Sequence, residues 1–126
     1  MTDLLADIKK YLVAGGIKSD LVALDAIPDT PDEAVAIYEY QGNSPLAQIS
    51  GVSRPIQIVT RDIVSTKART QARTIYGLLK TEDSLINFTT ERWAALHLRQ
   101  PPFKFKTDEA GRSYYAFNMQ VTTYED

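Results

Sequence analysis

Apolar residues recur at helical spacing over residues 2–14, where Leu4, Leu5, Ile8, Tyr11 and Leu12 form one stripe of an amphipathic helix. Thr2 is the candidate N-cap, and Asp3 complements the positive end of the helix dipole. Gly15-Gly16 stops the helix, because glycine takes the left-handed C-cap conformation without strain. The pattern then shifts to a period of two. Residues 20–26 read as a short strand. Pro28-Asp-Thr-Pro31 reads as a turn, since both prolines lack an amide donor and fix φ. Ala34–Tyr40 reads as a strand with Val35 and Ile37 on one face and Ala36, Tyr38 and Tyr40 on the other. Apolar residues on both faces predict a strand inside a sheet.

Gln41–Ser53 breaks the pattern. It is rich in Gly, Ser, Asn and Gln and predicts a loop of about 13 residues, against roughly 4–6 for an ordinary connection. Pro55–Arg61 follows as a strand with Ile56 and Ile58 on one face, and Pro55 at its first position, where it breaks no ladder bond. Ser65 or Thr66 caps a second helix that runs to about Lys80. Its Ala68, Ala72, Ile75 and Leu79 share a face, and the small alanines permit close approach to a sheet; Lys67, Arg69, Arg73 and Lys80 fall on the exposed sides.

Ser84–Phe88 and Trp93–Gln100 read as further strands, the second with Ala94, Leu96 and Leu98 alternating against Trp93, His97 and Arg99. Pro101-Pro102 ends it. Phe103–Lys106 leads into the turn Asp108-Glu-Ala-Gly111, where Gly111 supplies the positive φ. The closing strand is predicted to be the longest. Tyr115, Phe117, Met119 and Val121 alternate with Tyr114, Asn118, Gln120 and Thr122, a pattern for one buried and one wet face. Tyr38, Tyr40, Tyr114 and Tyr124 are expected to face outward. The order of elements predicts an α+β fold: a single mixed, mostly antiparallel sheet with two α-helices packed on one face, in one domain spanning residues 1–126.

Composition narrows the function. The chain is 44% hydrophobic and 24% charged, ordinary for a globular domain. Its net charge of −2 argues against general attraction to nucleic acid. No uncharged run approaches the roughly 20 residues needed to cross a bilayer, and the start lacks the positive charge of a signal peptide. The absence of Cys points to a reducing compartment, so the reading is a soluble protein made in the cytoplasm, with no membrane partner.

Chemistry is sparse. His97 is the only histidine and lies mid-strand, away from any evident triad. One His and no Cys cannot furnish the usual zinc ligand sets. Gly15-Gly16 lacks the residues of a phosphate-binding loop. The acidic groups Asp29 with Asp32 and Glu33, Glu82 with Asp83, and Asp108 with Glu109 read as turns and helix starts, where such residues are locally favoured. A carboxylate-dependent hydrolase would need Asp29, Asp32 and Glu33 to converge in a cleft. No catalytic residue, metal or cofactor is assigned. Arg69 and Arg73, one helical turn apart, could meet phosphate or the carboxylates of a neighbouring subunit. Exposed Tyr and Arg are enriched at protein interfaces.

Two stretches carry a resemblance: Arg54-Pro-Ile-Gln-Ile58 after the loop, and Asp108-Glu-Ala-Gly-Arg112 before the last strand. With the Gly-Gly helix stop, the Ile-Pro-Asp-Thr-Pro-Asp turn and Ala-Val-Ala-Ile-Tyr-Glu, the chain resembles the tail terminators and minor capsid proteins of long-tailed bacteriophages over nearly its whole length. Leu85–Trp93 carries none of the likeness. The resemblance implies a virion protein that forms a hexameric ring at the head-proximal end of the tail tube after assembly in the host cytoplasm. The ring halts addition of tube protein and gives the head–tail connector or stopper protein a docking surface, and DNA passes through its lumen without sequence-specific binding. No catalytic residue is implied. A head-completion or stopper protein is the alternative within the same assembly.

A closed ring needs two different matching surfaces on each protomer. The expected interface residues are Asn43, Pro45, Leu46 and Ile49 of the long loop, together with Arg54, Arg69, Arg73, Phe103, Phe105, Asp108 and Arg112.

Overall fold

The computed structural model describes residues 4–39, 52–81, 85–89 and 92–123. The first helix, α1, covers Leu4–Ala14 and buries Leu4, Leu5, Ile8 and Leu12, the stripe expected from spacing. Its proposed cap Thr2 and the acid Asp3 lie outside the described residues. Gly16 closes the helix at φ +110. Residues 20–26 do not form one strand. A single 3-10 turn, Ser19–Leu21, runs into the three-residue strand β1, Val22–Leu24. Asp25 then takes φ 62, which ends extended backbone; Asp is among the few residues that tolerate that region.

Strand β2 is Ala34–Glu39 and β3 is Val52–Asp62. Tyr40 and residues 41–51 lie outside the described residues, so the prediction of a loop there stands on sequence alone. Residues 52 and 53, assigned to that loop, belong instead to β3. Pro55 is therefore its fourth residue and not its first. The extension follows from the partner strand β7, Ser113–Thr123, which pairs with β3 from Asp62↔Ser113 to Val52↔Thr123. Pro55 is tolerated because the β2 ladder has already ended at Glu39↔Ile56. β7 is 11 residues long, but β3 equals it.

Helix α2 spans Ser65–Leu79, and its N-cap is Val64 rather than Ser65 or Thr66. The capping oxygen comes from Asp62, whose Oδ1 accepts from the Val64 N–H at 2.9 Å, so the job expected of Ser or Thr is done two residues earlier. Ala68, Ala72, Ile75 and Leu79 are buried as predicted. The close approach permitted by alanine is explicit: the Thr60 hydroxyl of β3 donates to the Ala68 carbonyl at 2.8 Å.

Strands β4 (Leu85–Thr89), β5 (Arg92–Leu98) and β6 (Phe103–Thr107) complete the sheet. β5 stops two residues before the expected end, because Pro101-Pro102 forces the chain off the ladder. The Arg99 N–H still reaches the Asn118 carbonyl at 3.1 Å. The strand order is β1-β2-β3-β7-β5-β4, with β6 also on β7. β5 and β6 line the same edge of β7 in succession, β5 along residues 119–123 and β6 along 113–116. Only β1–β2 is parallel.

Both helices share one face of the sheet. Their buried side chains meet Val35, Ile37, Ile56, Ile58, Leu96, Phe117, Met119 and Val121 in one core. β1 and β4 terminate opposite ends of the strand order, yet α1 packs against both, so the sheet curls around that helix. The second face departs from expectation at one end. Tyr114, predicted to be wet, is 6% exposed and packs with Val59 and Ala116, flanked by Ile27 and Tyr38, in a second, smaller cluster. The cover comes from residues 25–33, which cross that face on their way from β1 to β2. Tyr38 is half-buried, and Tyr40 and Tyr124 lie outside the described residues.

Phe117 is fully buried and meets the Tyr76 ring edge-on at 5.3 Å between centroids. Phe117→Ala is expected to lower unfolding free energy by about 3–5 kcal/mol. Thr74→Ala on the exposed side of α2 is expected to stay within about 0.5 kcal/mol of the parent. Urea denaturation of the two variants checks the contrast.

Candidate assembly surface

The turn that joins β6 to β7 is built around one carboxylate. Asp108 Oδ1 accepts from the backbone N–H groups of Ala110 and Arg112, each at 3.0 Å. Asp108 Oδ2 accepts from Arg112 Nε at 2.8 Å and from the Tyr114 hydroxyl at 2.9 Å. Gly111 turns the chain at φ +85, where a side chain would strain the backbone. Burial pushes the Asp108 carboxyl upward. The Arg112 N–H, the Tyr114 hydroxyl and the Arg112 guanidinium outweigh it and hold the group at about 2, below its ordinary 3.8.

Arg112 also faces the segment that crosses the second face. Its Nη1 donates to the Asp29 carbonyl at 2.6 Å, its Nη2 to Asp29 Oδ1 at 3.1 Å, and Asp32 Oδ1 lies 3.6 Å from Nη1. Arg61 of β3 grips the same segment. Its Nη2 donates to the carbonyls of Pro28 and Pro31 at 2.6 and 2.7 Å, and its Nε to the Asp32 carbonyl at 3.0 Å. Only 2% of Arg61 is exposed, so its charge is met almost wholly by these carbonyl dipoles and by the Tyr114 ring, 5.8 Å away. Two prolines remove two N–H donors from residues 25–33 and leave carbonyls in surplus. A planar guanidinium with five donors is the side chain that suits them.

The outer side of the hairpin is built differently. All five residues of β6 are exposed, and among the described residues β7 is its only strand partner. Phe103 and Phe105 are 37% and 45% exposed. Phe105 leans its ring on Tyr114 at 5.8 Å, and Lys106 Nζ sits 4.4 Å over the same ring. A register shift between Lys104 and Lys106 re-aims this part of the edge. Ile63 and Val64, also exposed, follow the end of β3 at the same end of the sheet, where Asp62, Ser113 and Thr107 are paired in a row. Such a free edge with exposed rings offers main-chain hydrogen bonds and apolar contact to another protein.

The expected interface residues thus separate into groups. Phe103, Phe105, Asp108 and Arg112 come together on the hairpin, the two rings outward and the ion pair inward. Arg69 and Arg73 are exposed on α2, across the sheet from Arg61 and its carbonyls. Arg54 is half-buried far along β3, opposite Val121. Asn43, Pro45, Leu46 and Ile49 lie outside the described residues. Arg61, Asp29 and Tyr114 were not singled out as a unit by sequence. The available signal was the position of Arg61 on the same side of its strand as Val59, together with a proline-rich turn in need of donors. Asp29, Asp32 and Glu33 form no metal cluster among the described residues. His97 is exposed on β5. Among the described residues no helix is long and apolar enough to cross a membrane.

A curled α+β sheet with both helices inside the curl and an open, aromatic edge strand defines a domain equipped for assembly. Residues 5–125 match the bacteriophage tail terminator proteins, and the chain belongs to that family. It is a tail structural protein of the virion. In three dimensions it is similar to a chain from the virion of a native gene transfer agent particle, at 15% identity and a TM-score of 0.63. The match covers 97% of this chain and 95% of the other, and at that identity it speaks for the fold. No curated protein matches the sequence.

The Asp108 shift has a sign that can be tested. Its folded-state pKa lies below the ordinary value, so its stabilising effect is complete above about pH 4 and is lost as pH falls toward about 2. Urea midpoints measured across that window are expected to fall for the parent chain. Asp108→Asn is expected to be less stable at neutral pH and to lose part of that slope; an unchanged slope would rule out this role for Asp108.

Proposed function

We propose that this protein is a tail terminator that closes into a hexameric ring on the head-proximal end of the tail tube. The ring halts further addition of tube protein and presents the surface on which the head–tail connector docks. DNA passes through its lumen without sequence-specific contacts. The observation that carries the proposal is membership of the tail terminator family over residues 5–125. The hairpin supports it. The Asp108–Arg112 turn holds β6 rigidly against β7, so Phe103 and Phe105 are presented on a preorganised edge, and little ordering cost remains at docking.

A terminator must offer the tube a matching surface on one side and a non-matching one on the other. A ring of copies joined head to tail leaves its two sides chemically distinct, as this requires. Loop 41–51 and Arg54 complete the proposed contact set, with Arg69 and Arg73 on the helix side.

Phe103→Asp/Phe105→Asp places charge on the edge without touching the core. The variant is expected to remain folded, to run as a monomer by light scattering, and to leave tails that exceed normal length in an assembly reaction. Parent protein that neither forms rings nor caps tail tubes in electron micrographs would overturn the proposal.

A further inference from the structure

Charge is unevenly divided along this chain. Ser65–Lys80 holds Lys67, Arg69, Arg73 and Lys80 and no acidic residue. The remaining ten basic residues face all sixteen acidic ones, a net of −6 outside the helix. The segment before and after β1 is the counterpart: residues 18–33 hold Asp20, Asp25, Asp29, Asp32 and Glu33 against Lys18 alone, and every one of these acids is exposed.

The fold puts the two sets on opposite flanks. Arg69, Arg73, Tyr76 and Lys80 follow one another at helical spacings of four, three and four, so they form a single stripe of α2. Tyr76 fixes which way the stripe looks. It packs on Phe117 of β7, and with Lys80 it borders a hollow shared with Leu96, His97 and Leu98 of β5. The stripe therefore lies on the β7–β5 side. The other flank of α2, through Gln71 and Thr74, borders a hollow with Glu33, Lys18 and Leu21. Beyond it β1 forms the edge of the sheet, with Asp20 just before the strand and Asp25 just after it. Among the described residues no ion pair engages Arg69, Arg73, Asp20, Asp25 or Glu33.

We infer that the basic stripe of α2 on one copy docks against the acidic β1 edge of the next copy. The inference rests on the ring reading and names the contact that closes it. A protomer with opposite charge on opposite flanks cannot satisfy itself, and two-fold pairing would bring like charge to like. Head-to-tail succession satisfies both flanks at once, and it is the arrangement that generates a ring. The partner is thus a second copy of this chain, recognised by carboxylates spaced along an edge strand.

Charge reversal tests it. Arg69→Glu/Arg73→Glu and Asp20→Lys/Glu33→Lys alter exposed positions, and circular dichroism confirms that each variant is folded. Each is expected to weaken self-association at least roughly tenfold, in sedimentation velocity or on tail tubes, because like charges then face each other. Association of the parent is expected to weaken as salt rises. The fourfold variant carries both reversals and is expected to assemble again. Rings that are indifferent to either double reversal overturn the inference, as does a fourfold variant that stays dissociated. Loss of binding to a short duplex DNA, with rings intact, would assign the stripe to nucleic acid and also overturn it. Parent protein that forms no ring, alone or on tubes, removes the ring reading itself and is a distinct result.

Discussion

The unbroken ladder between β3 and β7 is the constraint on which the rest of the molecule hangs. The two strands pair along their full 11-residue lengths, from Asp62↔Ser113 to Val52↔Thr123. β2 is laid on the outer side of β3, and β5 with β6 on the outer side of β7. α2 rests across both central strands, held close by two alanines and by a hydrogen bond from Thr60. The core side chains Ile56, Ile58, Phe117 and Met119 alternate along this ladder and so point into one space. A slip of one residue would turn all of them to the other face. The register is therefore pinned by burial as well as by hydrogen bonds.

Burying two arginines is costly unless their donors are met. Here they are met by carbonyls that prolines leave without a use in any ladder. Arg61 and Arg112 convert a proline-rich connection into a cover for one end of the second face, and the small cluster of Val59, Tyr114 and Ala116 forms beneath it. The same end of the sheet carries the β6–β7 hairpin. The inward chemistry of the turn and the outward exposure of Phe103 and Phe105 are thus two sides of one arrangement. The buried ion pair immobilises the edge, and the immobilised edge is presented to solvent.

For a protein of this family, shape and charge distribution take the place of reactive groups. The open strand edge supplies directional hydrogen bonds and apolar contact. The separation of basic and acidic flanks supplies orientation, since electrostatic complementarity chooses among encounters more than it adds affinity. Together they describe a protomer made to meet copies of itself in one sense of rotation.

Much of this was legible in the chain. Helical periodicity located α1 and α2 and named their buried residues, because an amphipathic stripe is a local property. Alternation located the closing strand and its core face, and the Gly111 turn followed from its need for positive φ. The two exposed phenylalanines could also be named, flanked as they are by lysines and prolines. Three things depended on residues far apart in sequence. Val52 and Ser53 joined β3 because β7 was long enough to pair with them. Val64 became the cap position because Asp62 supplied the oxygen. Tyr114 was buried because residues 25–33, held by Arg61 and Arg112, came to lie over it. Spacing along a chain reports which face a side chain takes. Whether that face is covered depends on contacts between distant segments, and those exist only once the sheet has formed.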